Sequence, residues 1–241
     1  MKIKELAVIM PIYNEEKAIT AVLEKWHAKL CELQIDFEIH AYNDGSKDRT
    51  SSILNKAAAR YPRIIVHQKT NSGHGPTILQ GYRENCGAEW LFQVDSDDEL
   101  EVADFDKLWL KRFDYDFLLG IRVGRHNPVS RKIITWGSKL VVRFFYHSGI
   151  LDTNTPYRLM RNNKFRDLFF KLPPDTFAPN VIISGYAALK KFRIFQTPVY
   201  YHQRTTGEVS LKKLKLLKAA GRSLGQAVFF RFKLRALISR R

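Results

Sequence analysis

Four acidic side chains fall within five positions of LFQVDSDDEL, residues 91–100. Alternate residues of an extended segment point to one side, so Asp95 and Asp97 are expected to converge while Ser96 turns aside. Two carboxylates at the end of an apolar stretch suit Mg²⁺ or Mn²⁺, which bind oxygen ligands and keep other positions for phosphate oxygens and water. A solvated acidic turn is the alternative. A calcium loop of the EF-hand type is disfavoured, because Leu100 stands where that loop needs glycine.

Strand-like and helix-like stretches alternate through the first half of the chain and would position these acids. The predicted strands are residues 6–13, 35–44, 63–68 and 90–95, and the predicted helices are residues 14–33, 45–61 (after a loop) and 75–85. This alternation predicts right-handed βαβ units and a mostly parallel sheet. The polar motifs PIYNEE, NDGSKD, NSGHG and DSDDE all follow predicted strands. Ligands of such sheets bind beyond the carboxyl ends of the strands, so we expect one site there.

Other familiar cofactor motifs are weak or missing in the sequence. GHGPTI offers two glycines of a dinucleotide fingerprint, but Ile78 occupies the place of the third. The chain has no P-loop pattern, and its seven histidines lack zinc-site spacing. The two cysteines form no disulfide or metal framework, which fits a reducing compartment.

The second half is less regular, and we divide the chain into a catalytic domain, residues 1–210, and a basic tail, residues 211–241. Residues 140–149 are a helix-like apolar run, and residues 192–203 are predicted as strand, turn and strand around Pro198. No stretch approaches the roughly 20 apolar residues of a transmembrane helix, and we read the N-terminus as a first strand instead of a signal peptide.

The net charge is +16, and the tail holds ten Lys or Arg and no acid. Its Leu, Val and Phe residues recur at roughly helical spacing, which is typical of a helix lying in the interface of an anionic bilayer. Each basic residue near such a surface contributes about 1 kcal/mol. A terminal helix packed on the core is the alternative. Nucleic acid is not expected as a partner, because nothing else resembles a nucleic-acid module. We therefore expect a cytoplasmic protein, peripheral on the inner face of the membrane.

Several motifs together carry a resemblance to a known family. They are PIYNEE (11–16), YNDGSKDRT (42–50), NSGHGPTILQGY (71–82), QVDSDDE (93–99), GIR (120–122), SRKIITWGSKL (130–140), LDTNTPYRLMR (151–161) and TPVYYHQRTTGEVSLKK (197–213). In order and spacing they resemble the inverting family-two glycosyltransferases, most of all the dolichol-phosphate mannosyltransferase branch and its bacterial polyprenyl-phosphate relatives. The resemblance covers residues 5–213 and implies an α/β protein of the glycosyltransferase A fold, with a Rossmann-like, mostly parallel central sheet flanked by helices.

The resemblance also implies roles for individual residues around a nucleotide-sugar donor. Pro11, Tyr13, Glu15 and Asp44 would line the nucleotide site, Asp95 and Asp97 would hold Mg²⁺ or Mn²⁺ on the donor diphosphate, and Glu99 stands where the family often has Gln. Arg122, Arg131, Thr135 and Arg204 fall where that branch gathers phosphate-binding groups. Two positions depart from the family: Asn43 precedes Asp44 where a second aspartate is usual, and Asn180 stands where many relatives have an acid.

The chemistry of sugar transfer separates two classes of acceptor. A sugar hydroxyl needs a general base. A phosphate monoester is already anionic, with a second pKa near ~6, and needs guanidinium groups to orient it. Arginines outnumber acids in the second half, with Arg122, Arg125, Arg131, Arg158 and Arg204 as candidates. The sequence therefore favours transfer of a hexose from a UDP- or GDP-sugar to a polyprenyl or dolichyl phosphate. The alternatives are transfer to a hydroxyl of a lipid-linked or surface polysaccharide, with Asp175 as base, and a non-catalytic binding subunit.

Overall fold

The computed structural model describes residues 4–124 and 149–202, together with Gly225. Its centre is a seven-stranded sheet of order β3-β2-β1-β4-β6-β5-β7. The strands are β1 (Leu6–Ile12), β2 (Phe37–Asp44), β3 (Ile64–Lys69), β4 (Trp90–Gln93), β5 (Phe117–Val123), β6 (Arg158–Arg161) and β7 (Ile194–Tyr200). Of the neighbouring pairs, only those that involve β6 are antiparallel. The mostly parallel sheet expected from the sequence is thus confirmed.

Helices cover both faces of this sheet. They are α1 (Ile19–Glu32), α2 (Thr50–Arg60), α3 (His74–Glu84), α4 (Phe105–Trp109, after a 3₁₀ turn at Val102–Asp104), α5 (Asn162–Lys171) and α6 (Pro179–Leu189). Every residue of β1 is buried, and its alternate side chains enter two separate apolar clusters, one with α1 and α2 and one with α3, α5 and α6. Burial on both faces explains why β1 is a continuous apolar run and lacks polar alternation.

The first helix begins later than the sequence predicts. Its stripe of Ile19, Val22, Leu23, Trp26 and Leu30 is buried as expected, but residues 14–18 form a loop with one hydrogen-bonded turn before the helix. Asn14 has a φ of 55°, which an α-helix does not accommodate. The loop is therefore part of the sheet's polar edge.

The prediction of two strands around Pro198 is wrong. Residues Ile194–Tyr200 form one continuous strand, β7, in which Pro198 lies opposite Ile121 of β5. In the described sheet β7 is an edge strand that pairs with β5 alone. An edge strand tolerates proline, because the missing N–H can face away from the ladder.

In residues 4–124 and 149–202, no helix is long and apolar enough to cross a membrane. The predicted helix-like run over 140–148 and the basic tail lie outside the described residues, apart from Gly225.

Candidate active site

The four polar motifs of the first half lie at one edge of the sheet. Strands β3, β2, β1 and β4 are neighbours, are mutually parallel, and end at Lys69, Asp44, Ile12 and Gln93. Each strand leads directly into its motif. The structure therefore confirms that these loops share the carboxyl edge, where ligands of open α/β sheets bind.

The loops after β1 and β2 are joined by hydrogen bonds in both directions. The Asn14 N–H donates to Ser46 Oγ (3.0 Å), and Asn14 Oδ1 accepts from the Lys47 N–H (2.8 Å). One residue further on, the Glu15 N–H donates to Thr50 Oγ1 (2.9 Å). These bonds explain the left-handed backbone of Asn14 and join the two loops into one rim.

Three residues that the resemblance places at a nucleotide lie on or beside this rim. Pro11 is buried near the end of β1, Glu15 is partly exposed, and Tyr13 is 37% exposed. The three lie together at the carboxyl edge, and their contact with a nucleotide stays a prediction.

Asp44, the fourth residue of that set, is 3% exposed and is held by groups of the protein itself. Its carboxylate accepts from Lys69 Nζ and from the N–H groups of Ser72 and Gly73 (2.8 Å each). Burial alone would raise the pKa of Asp44, but the Lys69 ammonium and the two N–H groups outweigh burial and lower it. Asp44 is thus an ionised anchor for the loop that leads into α3.

Sequence reasoning missed Lys69. A lysine at a strand end is an ordinary surface residue by type, and nothing in the sequence joins it to a carboxylate 25 positions earlier. In the structure the Lys69 ammonium, which has three N–H donors, also lies within hydrogen-bond distance of Thr70 O (3.0 Å), Ser72 Oγ (2.6 Å) and Thr77 Oγ1 (3.2 Å). It therefore clamps Asp44, its own loop and the first turn of α3 together.

The four acids that follow β4 do not share one environment. Asp98 has a φ of 57° and turns to Lys25 of α1, with its Oδ2 2.6 Å from Lys25 Nζ. Ser96 Oγ donates to the carbonyl of Pro11 (3.0 Å), which fixes this segment to the end of β1. Asp97 Oδ1 accepts from the Glu99 N–H (3.3 Å). Asp98 therefore pairs with a lysine of α1, outside the group of four acids, and Ser96 turns aside as predicted.

Asp95 and Asp97 have opposite electrostatic properties. Burial acts to raise the pKa of Asp95, but His74, whose Nε2 lies 3.0 Å from Asp95 Oδ1, and the positive charge of Arg122 lower it overall. Burial, together with the negative charges of Asp95 and Glu99, raises the pKa of Asp97 to about 8. The protein thus places a second carboxylate where a neighbouring anion disfavours its charge.

Asp95 and Asp97 offer carboxylate oxygens, which are suitable ligands for a divalent cation such as Mg²⁺. Among the described residues, no group of three or more His, Cys, Asp or Glu side chains is arranged to hold a metal ion. Mg²⁺ does not require such a cage, because it is usually bound by one or two carboxylates together with substrate phosphates and water. Asp95 and Asp97 supply two carboxylates whose mutual repulsion a cation would relieve. Glu99 lies beside them.

Arg122, the arginine of the GIR motif, is paired in the structure. Its Nε and Nη2 donate to the two oxygens of Asp152 (2.8 and 3.0 Å), and both side chains are mostly buried. Burial would lower the pKa of Arg122, but the Asp152 carboxylate outweighs burial and raises it. A guanidinium has five N–H donors, so the Asp152 contact uses two of them. Arg131, Thr135 and Arg204 lie outside the described residues, and their roles stay predictions.

Arg158 has a structural role, in contrast to the phosphate-binding role considered from the sequence. Its side chain is fully buried, and it donates to the backbone carbonyls of Thr153, Thr155 and Asn180 at 2.7–3.1 Å. Burial lowers its pKa to about 10. The guanidinium therefore joins the loop before β6 to the start of α6, and composition alone could not separate it from Arg122.

Asn180, at the start of α6, is buried next to Tyr82. The Tyr82 hydroxyl donates to Gln93 Oε1 (2.6 Å) and lies 3.5 Å from Asn180 Oδ1. Asp175, the alternative base, is exposed on the loop before α6. The backbone of this loop touches α3, because a Cβ added to Gly75 would lie 2.2 Å from the carbonyl oxygen of Phe177.

Comparison with solved structures identifies the class of fold. The chain is similar to glucosyl-3-phosphoglycerate synthase of Mycobacterium tuberculosis, which was solved with Mn²⁺, UDP and glucosyl-3-phosphoglycerate. The TM-score is 0.65 at 14% sequence identity, and the match covers 95% of this chain and 80% of the synthase. The chain is also similar to TarS of S. aureus, solved with UDP, with a TM-score of 0.57, 24% identity, and coverage of 90% and 64%. These are glycosyltransferases of the A fold, as the sequence resemblance implies, and the present chain has that fold.

Sequence comparison then gives the family. The model of glycosyl transferase family 2 matches residues 7–172, more than half of the chain. The chain therefore belongs to glycosyl transferase family 2 and is a glycosyltransferase.

Relatives within the family carry names that refer to lipid phosphates. Dolichyl-phosphate beta-glucosyltransferase ALG5D of Trichomonas vaginalis is 26% identical over 249 residues, with coverage of 94% of this chain and 74% of the relative. Undecaprenyl-phosphate 4-deoxy-4-formamido-L-arabinose transferase of Pseudomonas fluorescens is 29% identical over 142 residues, with coverage of 58% and 41%. The chain thus spans about three quarters of the first relative and less than half of the second.

Proposed function

We propose that this glycosyltransferase moves a hexose from a UDP- or GDP-sugar to a polyprenyl or dolichyl phosphate, with inversion at the anomeric carbon. The observation that carries the proposal is the pairing of opposite charges at one edge of the sheet. Asp95 and Asp97 supply oxygen ligands for a cation, and Arg122 lies close enough to Asp95 to lower its pKa. A donor diphosphate needs the cation, and an acceptor phosphate needs the guanidinium.

The donor side of the proposal rests on the loops after β1, β2 and β4. Asp95 and Asp97 would hold Mg²⁺ or Mn²⁺, which would neutralise charge on the leaving diphosphate as a Lewis acid. Tyr13 and Glu15 lie on the rim beside them, and Asp44 fixes the entry to α3. The solved structure of the Mycobacterium synthase with Mn²⁺ and UDP supports a donor of this chemical kind for the fold.

The acceptor side rests on what the chain offers for orientation and for proton transfer. Arg122 has N–H donors beyond those that Asp152 uses, and a guanidinium suits phosphate oxygens. Asn180 stands where many family members have an acid, and a neutral amide cannot remove a proton from a hydroxyl. A phosphate needs no such base. The names of the dolichyl- and undecaprenyl-phosphate relatives support the same acceptor.

The reaction follows as a single displacement. An anionic oxygen of the acceptor phosphate, oriented by Arg122, attacks the anomeric carbon from the side opposite the diphosphate. The new carbon–oxygen bond forms as the bond to the diphosphate breaks, and the nucleoside diphosphate leaves with that electron pair. No proton has to move, because the attacking oxygen is already ionised at neutral pH.

We further propose that residues 211–241 bind the anionic inner surface of a membrane, where a lipid acceptor is found. Ten basic residues at about 1 kcal/mol each are sufficient for reversible binding. The test is sedimentation with vesicles. The whole chain is expected to bind phosphatidylserine vesicles and to be released by salt, whereas a chain ending at residue 210 is expected to stay in solution. Binding of both chains alike would refute the proposal.

The transfer reaction itself is tested with the purified whole chain and labelled UDP- and GDP-sugars. Undecaprenyl phosphate, dolichyl phosphate and a lipid-linked sugar are offered in parallel, with Mn²⁺ or with EDTA. We expect product from a lipid phosphate only, and only with the metal. Product from the lipid-linked sugar alone would establish the hydroxyl acceptor instead. Absence of turnover with every acceptor, in a chain that binds the nucleotide, would establish a non-catalytic binding subunit.

A further inference from the structure

His74 contacts the acidic pair from a different element of the fold. It is the first residue of α3, and its Nε2 lies 3.0 Å from Asp95 Oδ1 although the two residues are 21 positions apart. A carboxylate oxygen accepts this hydrogen bond, so the imidazole supplies the donor and carries a proton on Nε2. The contact is therefore Nε2–H donating to Oδ1.

The backbone around His74 is held on both sides. Before it, Gly73 has a φ of 91°, and its N–H donates to Asp44 Oδ2 (2.8 Å). After it, Gly75 packs so closely on the loop before α6 that an added Cβ would lie 2.2 Å from the Phe177 carbonyl oxygen. A side chain that is 53% exposed is ordinarily free to turn. Here the backbone on each side fixes the direction from which the imidazole approaches Asp95.

We propose that His74 is a positioning residue for Asp95. Its Nε2–H holds Oδ1 and fixes the rotation of the carboxylate, so that Oδ2 is presented to the divalent cation on the donor diphosphate. This inference rests on the proposed function, because it requires a cation at Asp95 and Asp97. Ligating carboxylates are themselves hydrogen-bonded, and loss of such a partner commonly costs 10- to 100-fold in metal affinity.

The experiment measures metal affinity, which separates positioning from activity. Free Mn²⁺ is followed by electron paramagnetic resonance during titration of the whole chain with saturating UDP or GDP and no acceptor. His74→Leu removes the donor and is expected to weaken Mn²⁺ binding by about 10- to 100-fold. His74→Gln keeps a neutral N–H donor at similar reach and is expected to restore most of the affinity.

Three further variants complete the test. Lys25→Met removes the partner of the neighbouring Asp98 and is the matched control, with wild-type affinity expected. Asp95→Asn is expected to lose the ion. His74→Ala carries the same expectation as His74→Leu, so a folding failure of one variant does not remove the test. Thermal unfolding verifies that each variant is folded.

Two results would overturn the inference. One is Mn²⁺ affinity in His74→Leu and His74→Ala equal to or greater than that of the wild type; the other is failure of His74→Gln to restore the loss. The proposed function fails separately: the wild type itself would then bind no Mn²⁺ with either nucleotide, or Asp95→Asn would bind it unchanged.

Discussion

Gly75 offers the sharpest structural prediction, because the space for one methyl group is already occupied. A Cβ at this position would lie 2.2 Å from the Phe177 carbonyl oxygen and 2.5 Å from the Thr176 carbonyl oxygen. Ordinary contact begins near 3.4 Å, so Gly75→Ala requires a backbone shift of roughly 1.2 Å. Overpacking of this kind costs about 1–3 kcal/mol. The gain in helix propensity from Gly to Ala is at most about 1 kcal/mol and does not cancel it.

Gly87 provides the matched control, because a Cβ there meets no atom within 4 Å. We expect urea denaturation to show Gly75→Ala destabilised by about 1–3 kcal/mol with an unchanged m-value. Gly87→Ala should stay within about 0.5 kcal/mol of the wild type. Turnover should fall in Gly75→Ala, since the displaced loop leads to Asn180 and the shifted helix start carries His74. Equal stability of the two variants would refute the packing argument.

Three other predictions concern buried ionisable groups. Burial and the neighbouring His67 lower the pKa of His40 from 6.5 to about 3, so below pH 6.5 the folded state binds fewer protons than the unfolded state. The free energy of unfolding should therefore fall by about 2 kcal/mol between pH 7 and pH 5. In urea denaturation, His40→Leu should flatten this pH dependence, and an unchanged dependence would contradict the assignment. Arg158→Met removes the guanidinium that donates to the buried Thr155 carbonyl, at a cost of about 1–3 kcal/mol, whereas the Thr153 carbonyl keeps the Ser184 hydroxyl as a donor. The melting temperature should therefore drop by several degrees, and a wild-type melting temperature would show that water replaces the guanidinium. Asp152→Ala removes the partner that holds Arg122 and should raise the KM for lipid phosphate about tenfold, the equivalent of about 1.4 kcal/mol, without changing the KM for the donor. A change in the donor KM alone would place Arg122 at the donor and not at the acceptor phosphate.

Local patterns predicted much of the fold. The spacing of Ile19, Val22, Trp26 and Leu30 predicted the buried face of α1, and the alternation of elements predicted the parallel strands that bring four polar motifs to one edge. These features depend on neighbours in the sequence or on general rules of topology. Pro198 misled the prediction, because proline's effect on a strand depends on whether that strand lies at a sheet edge, which no local pattern records.

The candidate site was predicted in part, for a similar reason. Asp95 and Asp97 could be proposed as a pair from the sequence because both lie on one short segment. His74 and Lys69 were missed, since their partners are 21 and 25 positions away and only the fold brings them together. Arg122 and Arg158 cannot be told apart by residue type in the sequence. In the structure Arg122 pairs with the Asp152 carboxylate, whereas Arg158 is buried and donates to backbone carbonyls.

The central claim is that Asp95 and Asp97 together hold a cation on the donor's diphosphate. The most direct measurement is anomalous scattering from crystals of the whole chain grown with Mn²⁺ and UDP or GDP. We predict one manganese peak between these two carboxylates and the nucleotide phosphates. Nucleotide bound at another edge of the sheet, or bound at this edge with no manganese at either aspartate, would contradict the account.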